Sequence, residues 1–305
     1  MRIVFFGIYK IGVDSLHSML RCDLDLVAVV TKPSTVTDNQ PVAQCAVENG
    51  LFLLQPNSPK EEKFNNIIKD LRPDLIVVAG YHKIIPTTIL NIPTWGTINL
   101  HGSLLPKYRG PCTWKWTIIN GETFTGVSVH IMTPQLDNGD LLGQRVIQIS
   151  DTDTGGSLFE KISVVGAELL TDTIKEIEAG VVEMKPQDEN IASYFGYPTE
   201  QDAKINWGND AICIRNLIRG LNPRPGAWTL FNGSTLRIWQ ATIIIDESSS
   251  SPGTIIQCSK DKLVVATATN DLVIDKMSVD EALPTQAHNV VNQMGINCGD
   301  RFADQ

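Results

Sequence analysis

An α/β fold with a doubly wound, mostly parallel sheet, followed by a small β-barrel or sandwich, is predicted by three features of this 305-residue chain. Short β-branched apolar runs alternate with helix-periodic stretches as far as Gly180. The alternation stops at a polar, proline-containing segment. Beyond it, short alternating runs follow one another between turn signals, the pattern of a small all-β unit. The expected organisation is a catalytic α/β domain over 1–184, a linker over 185–204 and a second domain over 205–305.

Taken in order, Arg2–Phe6, Leu26–Val30 and Leu75–Ala79 are short and apolar enough to be central strands buried on both faces. Gly7–Gly12 fits neither G-x-G-x-x-G nor a phosphate-binding loop, and is read as a βα turn. Val13, Leu16 and Leu20, and then Phe64, Ile67, Ile68 and Leu71 within Glu61–Leu71, recur at the helical period. Gly96–Asn99 reads as a further strand. It leads into the polar, Gly- and Pro-punctuated loop His101–Pro111, where such sheets bind ligands beyond their strand ends. Gly126–Ile131 and Leu141–Ile149 read as strands, and Ser157–Ala179 as a long helix that Gly180 stops. After the linker, Asp210–Arg219 is helix-like with Gly220 as its stop. Ala227–Phe231, Leu236–Ala241, Gly253–Gln257, Leu263–Ala268 and Leu272–Lys276 are short strands around turns such as Asn232-Gly233. Ser248–Ser251 is the one low-complexity stretch.

Charge and cysteine usage narrow the function classes. With 25 Lys+Arg against 34 Asp+Glu the net charge is −9, so composition excludes a basic nucleic-acid binder. No apolar run approaches the ~18–20 residues of a membrane span. The N-terminus runs straight into a strand without a signal-peptide layout, and a cytoplasmic protein is expected. The six cysteines form no C-x-x-C pair, which argues against a disulfide framework and a zinc site; no metal is expected.

The densest chemistry lies in Asn99–Pro106 and Leu136–Asp140. Asn99 and His101 are two apart at a strand end, so an extended backbone points both to one side. An imidazole moves protons near neutral pH, a carboxylate such as Asp137 orients it, and an amide N–H stabilises a developing oxyanion. This set suits acyl transfer through a tetrahedral intermediate, with direct attack by the acceptor because no activated Ser or Cys adjoins the histidine. Spacing alone leaves a structural loop histidine and a plain Asp-Asn-Gly turn equally open. Cys112 reads as a small buried thiol, His17, His130 and His288 as structural histidines, and Trp114 and Trp116 as pocket wall or core.

The run from Asn99 to Gly110, continued by Asn120–Val127 and Leu136–Asp140 in the same order, resembles the signature of the 10-formyltetrahydrofolate-dependent formyltransferases. The likeness extends to Ala203–Trp207, Asn222–Trp228 and Gly299–Phe302. It implies a Rossmann-like formyltransferase domain with a C-terminal OB-like β-barrel, and 10-formyltetrahydrofolate as formyl donor. It further implies His101 as proton shuttle, Asn99 as oxyanion donor and Asp137 as the orienting carboxylate. Folate contacts would come from Lys83, Ile84 and Ile85, from Ser103, Leu104, Leu105 and Pro106, and from Thr133, Pro134, Gln135, Leu136 and Asp137, largely through backbone groups. Pro111-Cys112-Thr113 departs from the Ala-Pro wording of the amino-sugar branch.

Two acceptors follow from the resemblance. Methionyl-tRNA enzymes of the family carry a basic loop after the second strand, whereas Thr31–Pro41 contains only Lys32, and Ile205–Gln305 has 8 Lys+Arg against 10 Asp+Glu. The wording of Trp116–Gly126 and Met294–Phe302 is closer to the amino-sugar branch. The expected acceptor is therefore a nucleotide-linked amino sugar, as in a UDP-4-amino-4-deoxy-L-arabinose formyltransferase, with methionyl-tRNA as the alternative. A 10-formyltetrahydrofolate hydrolase using water instead is the remaining enzyme class.

Overall fold

The computed structural model describes residues 1–33, 40–244, 249–259 and 262–303. Most of the cation-poor loop used to choose the acceptor (34–39) lies outside the described residues, as does Ser248 of the low-complexity stretch.

The chain begins β1 (Ile3–Gly7), α1 (Tyr9–Arg21), β2 (Leu26–Val30), α2 (Pro41–Glu48), β3 (Leu53–Leu54), α3 (Glu62–Leu71), β4 (Leu75–Ala79), α4 (Thr87–Leu90) and β5 (Thr97–His101). It continues with α5 (Thr113–Ile119), β6 (Phe124–Ile131), β7 (Leu141–Gln148) and α6 (Gly155–Glu178). Seven strands form one sheet in the order β3-β2-β1-β4-β5-β6-β7. The pairs from β3 to β5 are parallel, and β5–β6 and β6–β7 are antiparallel. All five residues of β1 and of β4 are buried, the environment that their β-branched composition requires. Strand order reverses at β1, which opens a crevice at the carboxyl ends of β1 and β4.

Strand β5 extends to His101, two residues past the expected end. Pairing on both sides holds it extended, Ala79 opposite Leu100 on β4 and Ser128 opposite His101 on β6. His101 is thus a strand residue rather than the first residue of a loop. Helices α2, α4 and α5 were not legible in the sequence, being at most eight residues long with too few turns to display a period.

The remaining elements are α7 (Ala211–Gly220), β8 (Ala227–Phe231), β9 (Ser234–Ile244), β10 (Ile255–Cys258), β11 (Leu263–Val265), β12 (Asp271–Val279), β13 (Thr285–Gln286) and α8 (Ala287–Met294). Strands β8 to β13 make an antiparallel sheet in the order β10-β11-β12-β9-β8, with β13 on β12. The C-terminal tail joins its two edges. Ile255 N–H donates to Asp300 O (2.8 Å) and Phe302 N–H to Gly253 O (3.0 Å) on the β10 side, and Ala303 N–H donates to Leu230 O (2.9 Å) on β8. That closure makes the sheet barrel-like and removes its open edges. Phe302, fully buried, stacks on Trp207 at 5.5 Å and anchors the tail. Gly220 is the last residue of α7 rather than a stop beyond it. A Cβ there would meet Ile119 at 2.7 Å and Lys115 O at 3.1 Å, so close packing on α5 explains the glycine.

Two compact units result. One comprises Met1–Thr113, Phe124–Gln148 and Phe159–Gly196; the other comprises Trp114–Thr123, Ile149–Leu158 and Tyr197–Gln305. The segment read as a linker, 185–204, is therefore divided, and its first part is structure of the first unit. Leu141 and Lys185 exchange both backbone hydrogen bonds, and Ser193 and Phe195 N–H groups donate to Pro106 O and Arg109 O. Polar composition hid this because the contacts are made by backbone groups. Among the described residues no helix is long and apolar enough to cross a membrane.

Candidate active site

Strand geometry delivers the first two side chains. Asn99 and His101, at i and i+2 of β5, face the same side of the sheet, and β6 places His130 opposite Asn99 and Ser128 opposite His101. The third arrives on the return from β6 to β7. Asp137 has a left-handed backbone (φ 52°), and Gly139 is packed so closely under Ile131 O that a Cβ would collide with it.

His101, His130 and Asp137 are all buried, and Asn99 is half-buried. The Asp137 carboxylate lies between the two imidazoles, Oδ2 at 3.7 Å from His101 Nδ1 and Oδ1 at 3.6 Å from His130 Nε2. Both are ion-pair rather than hydrogen-bond separations. Gly110 N–H donates to Asp137 Oδ2 at 2.9 Å. Burial opposes the charge of this carboxyl, but the electrostatic pull of His101 and His130 and the hydrogen bond from Gly110 N–H together outweigh it, and the carboxyl is held well below the usual carboxylate range. His101 Nε2 lies 2.8 Å from Tyr108 O. A carbonyl only accepts, so Nε2 carries the hydrogen, and in the neutral ring the lone pair sits on Nδ1, facing Asp137.

The turn that supplies Tyr108 O and Gly110 N–H is pinned by residues from the supposed linker. Tyr108 N–H donates to Ser193 Oγ (2.9 Å), and Arg109 N–H donates to Ser193 O (2.8 Å). The Tyr108 ring stacks on Phe195 at 5.0 Å. Gly110 has φ 102°, and any Cβ would collide with Phe195 O. Gln187 fastens the Asp137 turn: its Nε2 donates to Asp137 O (2.8 Å) and Gly139 O (2.7 Å), and its Oε1 accepts from Arg109 Nη2 (2.9 Å). Arg109 in turn makes a forked pair with Glu189. Replacing Gln187 with Leu unpairs two carbonyls and one side of the guanidinium. The expected loss is about 1–2 kcal/mol of stability, read as a lower thermal midpoint. An unchanged midpoint would show that water substitutes fully.

The residues expected to touch folate divide into three groups. Ile84 is 80% exposed and Leu136 55%, whereas the Ile85 side chain belongs to the core. Lys83 Nζ donates to Asn57 O. In Ser103–Pro106 most backbone groups are engaged internally. Ser103 O accepts from Ser128 Oγ, Leu105 N–H donates to Ser128 Oγ, Leu105 O accepts from Gln144, and Pro106 O accepts from Ser193 N–H. Ser103 is fully buried with its hydroxyl directed at Lys107 O and Tyr108 O, and the Leu104 side chain packs over Gly126. Thr133, Pro134 and Gln135 line a cleft of about 610 Å³ with Trp95, Ile131 and Met184; none of Asn99, His101 and Asp137 lines it.

His130 and Gln187 went unrecognised in the sequence. The signal for His130 was its strand, since antiparallel pairing of β5 and β6 sets it against Asn99. Gln187 has no local signal, being 50 residues from the turn it holds. Among the described residues no group of three or more His, Cys, Asp or Glu side chains is arranged to hold a metal ion.

This geometry sits in a sequence with close relatives. Residues 1–174 match the family described as Formyl transferase, and residues 198–295 match Formyl transferase, C-terminal domain. The chain is 39% identical to a methionyl-tRNA formyltransferase of Acetivibrio thermocellus over 92% of this chain and 93% of that protein. It is 40% identical to one of Caldanaerobacter subterraneus subsp. tengcongensis over 90% and 91%. Among solved structures, an N-formyltransferase from Helicobacter canadensis crystallised with folinic acid and dTDP-3-aminofucose shares the fold at a TM-score of 0.66 and 20% identity, over 89% of this chain and 98% of that one.

These relatives correct the expected acceptor. Sequence wording and acidity favoured a nucleotide-linked amino sugar over tRNA, but the nearly full-length relatives at 34–40% identity are methionyl-tRNA formyltransferases. Two physical reasons explain the misreading. Net charge sums the whole surface and does not read one face. The Met294–Phe302 wording serves barrel closure, through Gly299, Asp300 and Phe302, and so reports on the fold rather than on the acceptor. Matched in both parts and aligned almost end to end with its relatives, the chain belongs to the formyltransferase family.

Proposed function

We propose that this protein transfers the formyl group of 10-formyltetrahydrofolate to the α-amine of methionyl-tRNA, releasing tetrahydrofolate. The carrying observation is the convergence of Asn99, His101 and Asp137, two from one strand and one from a left-handed turn. The acceptor rests on the relatives that span nearly the whole chain. In this reading Asn99 Nδ2–H faces the formyl oxygen and stabilises the negative charge that grows as the amine adds to the formyl carbon. His101 takes the proton of the attacking amine at Nδ1, where the Asp137 carboxylate faces it, and returns a proton to the departing folate nitrogen. The new C–N bond forms on the acceptor as the bond to folate breaks. No protein nucleophile is used.

The folate is placed against Tyr81–Ile85 and Thr133–Asp137, with Leu104 the main contribution from Ser103–Pro106. Exposed Ile84 and Leu136 offer apolar surface to a flat ring. Among the described residues the buried Tyr81 Oη has no hydrogen-bond partner, and burial pushes its hydroxyl up to about 12, so it stays a neutral donor. The reaction belongs in the cytosol, where charged tRNA is held.

Purified protein, 10-formyltetrahydrofolate and charged methionyl-tRNA should give a methionyl ester heavier by one CO unit, detected by mass spectrometry after deacylation. The rate should fall as salt rises, because binding a polyanion releases counterions. Formylation of a dTDP- or UDP-linked amino sugar with none of the tRNA would sink the proposal. Formate release at the same rate without any acceptor would identify a hydrolase.

A further inference from the structure

We propose that His130 is a positioning residue that fixes the amide of Asn99 in the orientation needed for oxyanion stabilisation, an inference that rests on the formyl-transfer reading of Asn99. His130 is 2% exposed and sits directly across the β5–β6 pair from Asn99. Its Nδ1 lies 2.8 Å from Ile131 O, a group that only accepts, so Nδ1 carries the hydrogen. In the neutral ring that leaves a lone pair on Nε2, which is 3.2 Å from Asn99 Nδ2. Donor therefore meets acceptor: one Asn99 N–H points at His130, the second is left for the substrate, and Oδ1 is turned away.

The alternative orientation is unfavourable for two reasons. An Asn99 flipped by half a turn would set Oδ1 against the Nε2 lone pair. It would also present an acceptor, not a donor, to the forming oxyanion. Asn99 is half-buried rather than packed on every side, so without His130 both flips would be open to it, and only one is productive. Asp137 Oδ1 lies 3.6 Å from the same His130 Nε2, beyond hydrogen-bond reach, and Asp137 is held instead by Gly110 N–H and the Gln187 side chain. His130 touches no reacting atom itself.

Two variants and one spectroscopic measurement test this. His130→Leu keeps bulk but removes the acceptor, and His130→Gln restores an acceptor oxygen near the position of Nε2. His130→Leu should lower kcat about 10- to 100-fold with little change in KM for 10-formyltetrahydrofolate, and His130→Gln should recover most of it. Equal loss in both variants, or wild-type kcat in His130→Leu, would overturn the assignment. Nitrogen-15 NMR of the wild-type protein decides the contact whatever the acceptor is. His130 should be protonated at Nδ1 and bare at Nε2, and the Asn99 side-chain amide should shift in His130→Gln. An Nε2-protonated ring, or an Asn99 amide indifferent to the substitution, overturns it. A wild-type protein that formylates no methionyl-tRNA would instead count against the formyl-transfer reading, with the NMR outcome still deciding His130.

Discussion

Replacing His101 with alanine should reduce formyl transfer about 100- to 10,000-fold while leaving tetrahydrofolate binding almost unchanged. The separation of effects follows from where the ring is. His101 is buried at the carboxyl end of β5 with Nε2 committed to Tyr108 O, so it adds nothing to the exposed apolar surface at Ile84 and Leu136 proposed for folate. Its loss removes the imidazole that lies between Asp137 and the Tyr108 turn, and water is a poor substitute as a proton acceptor. Single-turnover formylation measured beside equilibrium binding of tetrahydrofolate checks both halves. Undiminished turnover would remove His101 from the mechanism, and loss of binding in step with turnover would make its role structural.

Asp137→Asn should cost transfer a similar factor, about 100- to 10,000-fold, for an electrostatic reason. An amide keeps the shape and can still accept from Gly110 N–H, but it removes the negative charge that faces both His101 Nδ1 and His130 Nε2. The substitution also carries a stability signature with a definite sign. The Asp137 carboxyl is more acidic folded than unfolded. Its charge therefore stabilises the fold above the unfolded value, about pH 3.9, and this contribution is lost as pH falls through the lower, folded value. Wild type should exceed Asp137→Asn in denaturant stability near neutral pH, with the gap closing below about pH 4. A gap independent of pH would mean that lost packing, not lost charge, is being measured.

Much of the first unit was legible because burial is written in local composition. The fully buried runs of β1 and β4 and the helical period of α3 need no knowledge of their partners. The second unit was legible as short strands, but α8 and the tail that closes the sheet were not. Closure depends on backbone bonds from Asp300, Phe302 and Ala303 to distant strands, which side-chain identity does not encode. The acceptor was misread for a related reason, since acidity averaged over the chain says little about any one face.

Residue types and their order in the sequence determined the α/β class, the all-β second unit, and the presence of Asn99 and His101 at one strand end and of Asp137 in a later turn. Tertiary structure alone decided how those groups are held. Antiparallel pairing set His130 against Asn99, a left-handed turn carried Asp137 between two imidazoles, and Gln187 and Ser193 came from a segment that reads as a linker to pin both turns. Periodicity reports which face of an element is buried, a property of neighbours in sequence. Hydrogen bonds between residues 50 and 85 positions apart exist only once the chain has returned on itself.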